Sequence, residues 1–168
     1  YLRIKRNSAT PVGAVPDQLE IATAFGFTEL DYSDVAGSAA RSVVDSKNPG
    51  LVAVGAVDPP GGAVIAYYSS QGPTNDGRIK PDVSAPGTAI RSSIVGGAYT
   101  TFNGTSMAGP HVAAAAALVM SARPDLRGNP AAVESVLRET AVPLTSTQTC
   151  GPYAGSTVPN AVFGSGRI

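Results

Sequence analysis

The sequence has no net charge, no long apolar run and a single cysteine, and each shortage narrows the functions to be considered. Because 12 lysine and arginine residues balance 12 acidic ones, electrostatics gives no reason to expect a nucleic acid or an anionic membrane as partner. No run of about 18 apolar residues occurs, so no membrane-spanning helix is expected. The first residues, YLRIKRNS, alternate like a strand and do not form a signal-peptide pattern.

Cys150 is the only cysteine of the chain. It is either a free thiol or one half of a disulfide whose partner lies outside this chain, and the sequence leaves both open. Lysines are few, whereas loops rich in serine, threonine, glycine and proline are many. This composition suits an exported protein, so we expect the protein to be secreted.

The apolar content is sufficient for one sizeable core, since 43% of the 168 residues are hydrophobic. Residues 1–46 hold two alternating runs, YLRIKRNS and DQLEIATAFG, which are typical of antiparallel strands in a sandwich-type module. From residue 51 the pattern changes, because LVAVGAV is nearly continuously apolar, as in a strand covered on both faces.

Shorter elements are predicted after this strand. AVIAYYSS predicts another strand, and IRSSIV predicts a short strand before a turn at Gly96-Gly97. The stretch between them, SQGPTNDGRIKPDVSAPGTAI, is predicted to be mostly loop, with a turn at NDG.

Two helices are predicted in the second half of the chain. HVAAAAALVM is apolar nearly all round, which predicts a helix buried in a larger core. Asn129 before Pro130 is a cap and first-turn signal, so a surface helix is predicted over residues 130–140. Strands mixed with helices indicate an α/β architecture around a central sheet.

Ser106 lies where a glycine-containing loop becomes the apolar helix. A serine in the first turn can simply cap free N–H groups. The same place also suits a nucleophile, because the helix N-terminus offers N–H donors and a positive dipole end to an oxyanion. Two serine motifs are excluded: Ala108 stands where G-x-S-x-G requires glycine, and no S-x-x-K pair occurs.

NGTSMAGPHVAAAAAL, at residues 103–118, resembles the serine-bearing motif of the subtilisin-like serine peptidases, the subtilases. GLVAVGAVD, YYSSQGPTNDGRIKPDVSAPG and FGSGRI resemble further segments of that family in the same order, so the resemblance covers residues 50–168 almost continuously. It implies a subtilisin-like α/β fold with a mostly parallel central sheet and a buried helix that carries the nucleophile.

The resemblance also implies roles for the residues around the helix start. Ser106 would be the nucleophile of an acyl-enzyme mechanism, and its own N–H would donate to the oxyanion. Thr105 would support that site, and Asn103 would lie on the leaving-group side of the substrate cleft. The substrate would be a polypeptide, and oxidation of Met107 would be a route to inactivation.

His111, the only histidine, is a tempting base for Ser106. On one helix, however, five residues turn the chain by about 500°, which leaves the two side chains roughly 140° apart and about 7.5 Å displaced along the axis. In the family this histidine belongs to the serine motif and is not the base. A buried, hydrogen-bonded structural histidine is therefore expected.

The remaining catalytic motifs of the family are not matched in this chain. Neither the Asp-Thr/Ser-Gly motif, nor the His-Gly-Thr-His motif, nor the oxyanion asparagine occurs. We therefore expect residues 47–168 to be the C-terminal part of a catalytic domain. Residues 1–46 would be the last strands of an inserted β-sandwich module with its connection. The missing N-terminal part would be the necessary partner, and this chain alone would be nearly inactive.

A non-catalytic binding or scaffold protein of the subtilase fold is the alternative function. For the chemistry the resemblance implies no cofactor, and it is compatible with structural calcium in the full-length protein. Asn75 and Asp76 are a candidate calcium ligand pair, but two side chains are far from the six or more ligands that calcium takes, so a plain turn is favoured.

Overall fold

The computed structural model describes residues 48, 50–58, 64–74 and 76–168, so the strands predicted within residues 1–46 lie outside the described part. In chain order its elements are β1 Val54–Asp58, β2 Val64–Ile65, β3 Val83–Pro86, β4 Ile90–Ser93, β5 Tyr99–Phe102, α1 Thr105–Ala122, a 3₁₀ helix Pro124–Leu126, α2 Pro130–Thr140, β6 Thr149–Cys150 and β7 Tyr153–Ala154.

The apolar run that predicted a covered strand forms β1, the middle strand of a sheet in the order β2-β1-β3. The longer ladder is parallel and joins β1 to β3, with Val54 opposite Val83. The shorter ladder is antiparallel and joins β1 to β2, with Val57 opposite Ile65. Val57 and its neighbour Ala56 have no exposed surface, so the prediction of a covered strand is confirmed.

Two predictions near this sheet need correction. AVIAYYSS forms a strand only at β2, because the chain then turns at Tyr67 and Tyr68, whose rings make an edge-to-face contact at 5.1 Å. Conversely, the stretch predicted as loop contains β3. This strand is four residues long and has no apolar run of its own. It forms because its backbone pairs with β1 in the buried interior. Such a pairing between distant segments cannot be predicted from a local pattern.

Asp82 anchors the start of β3 to both β1 and α2. Its carboxylate accepts hydrogen bonds from the Ala53 N–H at 2.7 Å and from Lys80 Nζ at 2.6 Å. Arg138 of α2 donates to the other carboxylate oxygen at 3.0 Å. A buried charge is tolerated only when it is paired and hydrogen-bonded, and here both conditions hold.

α1 packs on β1 and β3 along one face only. Its buried residues are Ala108 and Val112, whereas Leu118 is 71% exposed. The prediction that this helix is buried all round is therefore wrong for the described part of the chain, because the sheet and α2 cover one side of it and the described residues supply nothing for the other. Among the described residues, neither α-helix combines the length and the hydrophobicity that a bilayer span requires.

α2 begins and ends where the cap signal predicted it. The Asn129 side-chain oxygen accepts a hydrogen bond from the Ala132 N–H at 3.2 Å, and Pro130 occupies the first turn. Val133 and Leu137 are buried in the same core cluster as Val112 of α1. The amphipathic face thus fixes α2 beside α1 and leaves its polar face to solvent.

β4 and β5 form a hairpin that leads into the start of α1. Ile90 pairs with Phe102, and the turn contains Gly96 and Gly97, both at positive φ, as the sequence predicts for the end of IRSSIV. β5 ends at Phe102, directly before Asn103. The hairpin therefore leads directly into residues 103–105, which precede Ser106.

Candidate active site

Ser106 lies at the carboxyl ends of the parallel strands β1 and β3. The Gly104 N–H, just before α1, donates to the Gly87 carbonyl at 2.8 Å, and the Gly87 N–H donates to the Val57 carbonyl at 3.1 Å. These two bonds hold the loop before α1 against the sheet. In open α/β sheets this is the end at which ligands bind.

Both glycines of this contact are required by their geometry. A side chain at Gly87 would place its Cβ 2.6 Å from the Ala56 Cβ and 2.8 Å from the Gly104 carbonyl oxygen. Gly104 has φ 155° and ψ 161°, a conformation that is essentially restricted to glycine. The chain can thus make its sharp entry into α1 only with glycine at both positions.

The first turn of α1 presents free hydrogen-bond donors. The Gly104 carbonyl accepts from the N–H groups of Met107 at 3.0 Å and Ala108 at 3.4 Å. The N–H groups of Thr105 and Ser106 precede these, and neither makes a hydrogen bond within the described residues. Because the helix dipole adds positive potential here, a developing oxyanion would be stabilised at this point.

The Ser106 side chain does not cap the helix. The N-cap residue is Gly104, no side chain makes a capping hydrogen bond there, and Ser106 is exposed in the first turn. Pro110 lacks an N–H, so the Ser106 carbonyl loses its usual donor four residues later. The capping alternative thus has no support in the geometry, and the hydroxyl is available for chemistry.

Asn103 holds the preceding loop through its side-chain oxygen. Its Oδ1 accepts the Ala89 N–H at 2.6 Å, and Ala89 has the positive φ of 57°. The side chain is exposed. A role on the leaving-group side of a cleft stays a prediction for this residue.

His111 is bonded to its own helix. Its Nδ1 donates to the Met107 carbonyl at 2.8 Å, since a carbonyl oxygen can only accept. The expected hydrogen bond is present, but the expected burial is wrong, because the side chain lies on the uncovered side of α1. α1 begins before Ser106, so the two residues share one helix and the angular argument against their pairing applies.

The candidate calcium loop is occupied by its own neighbours. Both Asp76 carboxylate oxygens lie 3.0 Å from Arg78 Nε, and the Thr74 hydroxyl donates to Asp76 at 2.5 Å. The Gly77 N–H closes a turn on the Thr74 carbonyl at 2.9 Å. The turn is confirmed, and Asn75 lies outside the described residues.

Residues 87–89 have a role that the sequence does not predict. They lie in a stretch predicted as loop, yet Gly87 and Ala89 are hydrogen-bonded to Gly104 and Asn103. The sequence feature that could have indicated this contact is Ala85-Pro86-Gly87, at the end of the family-like segment YYSSQGPTNDGRIKPDVSAPG. The glycine there was a sign that another backbone approaches closely.

Comparisons with known proteins relate this chain to one family. A model of the subtilase family, Peptidase_S8, matches residues 26–166. The chain is 43% identical over 105 residues to bacillopeptidase F of Bacillus subtilis, covering 62% of this chain and 7% of that protein. It is 44% identical over 88 residues to a subtilisin of Bacillus pumilus, covering 52% of this chain and 29% of that protein.

Solved structures show the same relationship. The CspB protease of Clostridium perfringens aligns with a TM-score of 0.55 and 26% identity, over 71% of this chain and 26% of that one. Sphericase aligns with a TM-score of 0.55 and 25% identity, over 79% of this chain and 45% of that one. The chain thus spans less than half the length of each of these relatives.

Proposed function

This chain belongs to the subtilase family, and we propose that it is the C-terminal part of a subtilisin-like serine endopeptidase. Its substrate is a polypeptide and its nucleophile is Ser106. The histidine base and the aspartate of the triad lie in an N-terminal part of the catalytic domain, outside this chain. The observation that carries the proposal is an exposed Ser106 hydroxyl next to the free N–H groups of Thr105 and Ser106.

The proposed reaction forms and breaks one acyl-enzyme. The Ser106 oxygen attacks the carbonyl carbon of the scissile bond while its proton passes to the base of the N-terminal part. The carbonyl oxygen becomes an oxyanion, which accepts a hydrogen bond from the Ser106 N–H. The C–N bond then breaks, the base returns its proton to the leaving amine, and water hydrolyses the ester on Ser106.

The uncovered side of α1 supports an N-terminal part as partner. On this side of α1 Leu118 is 71% exposed, and Ala113, Ala114 and Ala117 are exposed beside it. An all-round apolar helix is stable when covered, so we assign this side to the N-terminal part of the same domain.

The proposal includes secretion and cofactor-free chemistry. Few lysines and many serine- and glycine-rich loops support secretion. Structural calcium in the full-length protein is compatible with the proposal, whose chemistry itself uses side chains and backbone N–H groups only.

A non-catalytic binding protein of the same fold is the second candidate. One observation favours it: the chain has a single histidine, and that histidine is bonded to its own helix. The two candidates differ in one measurable property, which is the reactivity of Ser106 in the full-length protein.

The test is labelling with a fluorophosphonate serine probe, located by peptide mass spectrometry, on this chain and on the full-length protein. We expect Ser106 to be labelled in the full-length protein only, and Ser106→Ala to abolish the label. Ser121→Ala is the matched control, because Ser121 is an exposed serine at the other end of α1. A folded full-length protein that takes no label would overturn the protease and leave the binding protein.

A further inference from the structure

The loop at residues 87–89 is hydrogen-bonded to Asn103 and Gly104, the two residues that precede α1. Gly87 accepts the Gly104 N–H at 2.8 Å, and Ala89 donates its N–H to Asn103 at 2.6 Å. Thr88 stands between these two contacts. The position of the helix start, and with it that of Ser106, therefore depends on what holds Thr88.

Thr88 is the middle member of three hydrogen-bonded side chains. Its hydroxyl donates to Asp58, the last residue of β1, through a short hydrogen bond to Oδ1. The Tyr68 hydroxyl lies 2.5 Å from the Thr88 oxygen. Because a carboxylate can only accept, the Thr88 proton points to Asp58, and the Thr88 oxygen accepts the proton of Tyr68. The order of donation is thus Tyr68 to Thr88 to Asp58.

Two further observations indicate that these three side chains hold residues 87–89 in place. Within the described residues Asp58 forms no ion pair, so its half-buried carboxylate is engaged by Thr88 alone. Ala89 has a φ of 57°, which is unfavourable for a residue with a Cβ and persists only where surrounding contacts enforce it. The Asn103 oxygen on one side and the anchored Thr88 on the other enforce it here.

We propose that Tyr68, Thr88 and Asp58 form a positioning relay for the nucleophile. The relay fixes the position of residues 87–89, which are hydrogen-bonded to Asn103 and Gly104. Because these two residues precede α1 directly, their position determines that of Ser106. This inference rests on the proposed function. None of the three side chains is a catalytic residue, since each acts on Ser106 through the loop.

The relay predicts a kinetic effect of defined size. A displacement of about 1 Å at a reacting group can cost on the order of 10² in rate. Removing the central hydroxyl by Thr88→Val should therefore lower kcat by about 10- to 100-fold, with KM within about twofold of the wild-type value. Thr88→Ser keeps the hydroxyl and should restore most of kcat. Asp58→Asn keeps an acceptor oxygen and should fall between them, and Tyr68→Phe should have the smallest effect.

The experiment measures kcat, KM and pre-steady-state acylation of the full-length protein on a peptide p-nitroanilide. Active-site concentration is normalised by fluorophosphonate titration, and the melting temperature of each variant is recorded. Thr140→Val is the matched control, because it removes a hydroxyl that donates to a backbone carbonyl, that of Val136 at 2.7 Å, on the exposed side of α2.

The outcomes separate the relay from the proposed function. Slow acylation in Thr88→Val, rescue in Thr88→Ser and wild-type kcat in Thr140→Val support the relay. An active wild-type protein whose Thr88→Val variant has wild-type kcat per titrated site, even with a lower melting temperature, overturns the relay alone. A folded wild-type protein with neither turnover nor probe labelling overturns the proposed function.

Discussion

Ser106 is the proposed nucleophile and Cys150 is the only cysteine of the chain. Their surroundings differ in exposure, hydrogen bonding and packing. Ser106 is exposed, makes no hydrogen bond within the described residues and adjoins free N–H donors. Cys150 is 7% exposed and donates its thiol hydrogen to Gln71 Oε1 at 3.0 Å. It packs with Val57 and Phe163 in the second core cluster.

The two side chains differ in placement in the opposite sense to their intrinsic reactivity. A free thiol ionises at a far lower pH than a hydroxyl and is the better nucleophile. Burial, however, raises the pKa of the Cys150 thiol and removes it from solvent. The intrinsically weaker serine oxygen is the one presented at a helix N-terminus. Three measurements test this contrast.

The largest effect is expected from removing the two nucleophiles in turn. In the full-length protein Ser106→Ala should lower kcat on the order of 10⁶-fold, the size of this effect in a subtilisin. Cys150→Ala should leave kcat within about twofold, because the thiol lies in a core cluster away from the loop. Peptide hydrolysis measured at equal folded concentration checks both. Residual turnover of Ser106→Ala that disappears on adding Cys150→Ala would reverse the comparison.

The next effect concerns the backbone that presents Ser106. Gly104→Ala should cost about 1–3 kcal/mol of stability, because the conformation of Gly104 is nearly inaccessible to other residues, and it should lower kcat by more than about tenfold. Gly96→Ala is the matched control: its φ of 91° is also positive, and a Cβ there would meet nothing within 4 Å.

Denaturant unfolding and turnover of both glycine variants are the measurements. Stability is measured in the Ser106→Ala background to prevent self-cleavage. We expect Gly96→Ala to cost roughly 1–2 kcal/mol and to leave kcat unchanged. Equal kcat values for the two variants would show that the entry into α1 needs no glycine for catalysis.

The smallest effect is the pH dependence of Cys150. Since the folded pKa of the thiol is raised above its ordinary value of 9.0, its contribution to stability is complete below that value and is lost as the pH rises through the folded pKa. Alkylation of the folded full-length protein by iodoacetamide, followed for the Cys150 peptide by mass spectrometry, should show a midpoint above pH 9.0 and speed up on unfolding. An alkylation profile identical to that of free cysteine would contradict the burial of the thiol.

Features with strong local signals were predicted correctly. α2 follows from a cap, a proline and a 3.6-residue apolar period, all within a dozen residues. β1 follows from a continuous apolar run. The start of α1 next to Ser106 follows from a glycine-containing loop running into an apolar segment. In each case the physical cause lies in neighbouring residues, so one sequence suffices.

Features that depend on contacts distant in sequence were not predicted. β3 exists because it pairs with β1, and Asp58, Tyr68 and Thr88 meet because strand ends and a turn converge. The exposure of His111 was missed because apolar composition shows what a helix can bury and not what covers it. Local sequence patterns specified β1, α1 and α2 and marked Ser106 as the candidate nucleophile. Tertiary contacts determine that the Thr88 hydroxyl is hydrogen-bonded, that Ser106 is exposed and that the Cys150 thiol is buried. Hydrogen bonding and burial depend on residues that are distant in sequence and become neighbours only on folding.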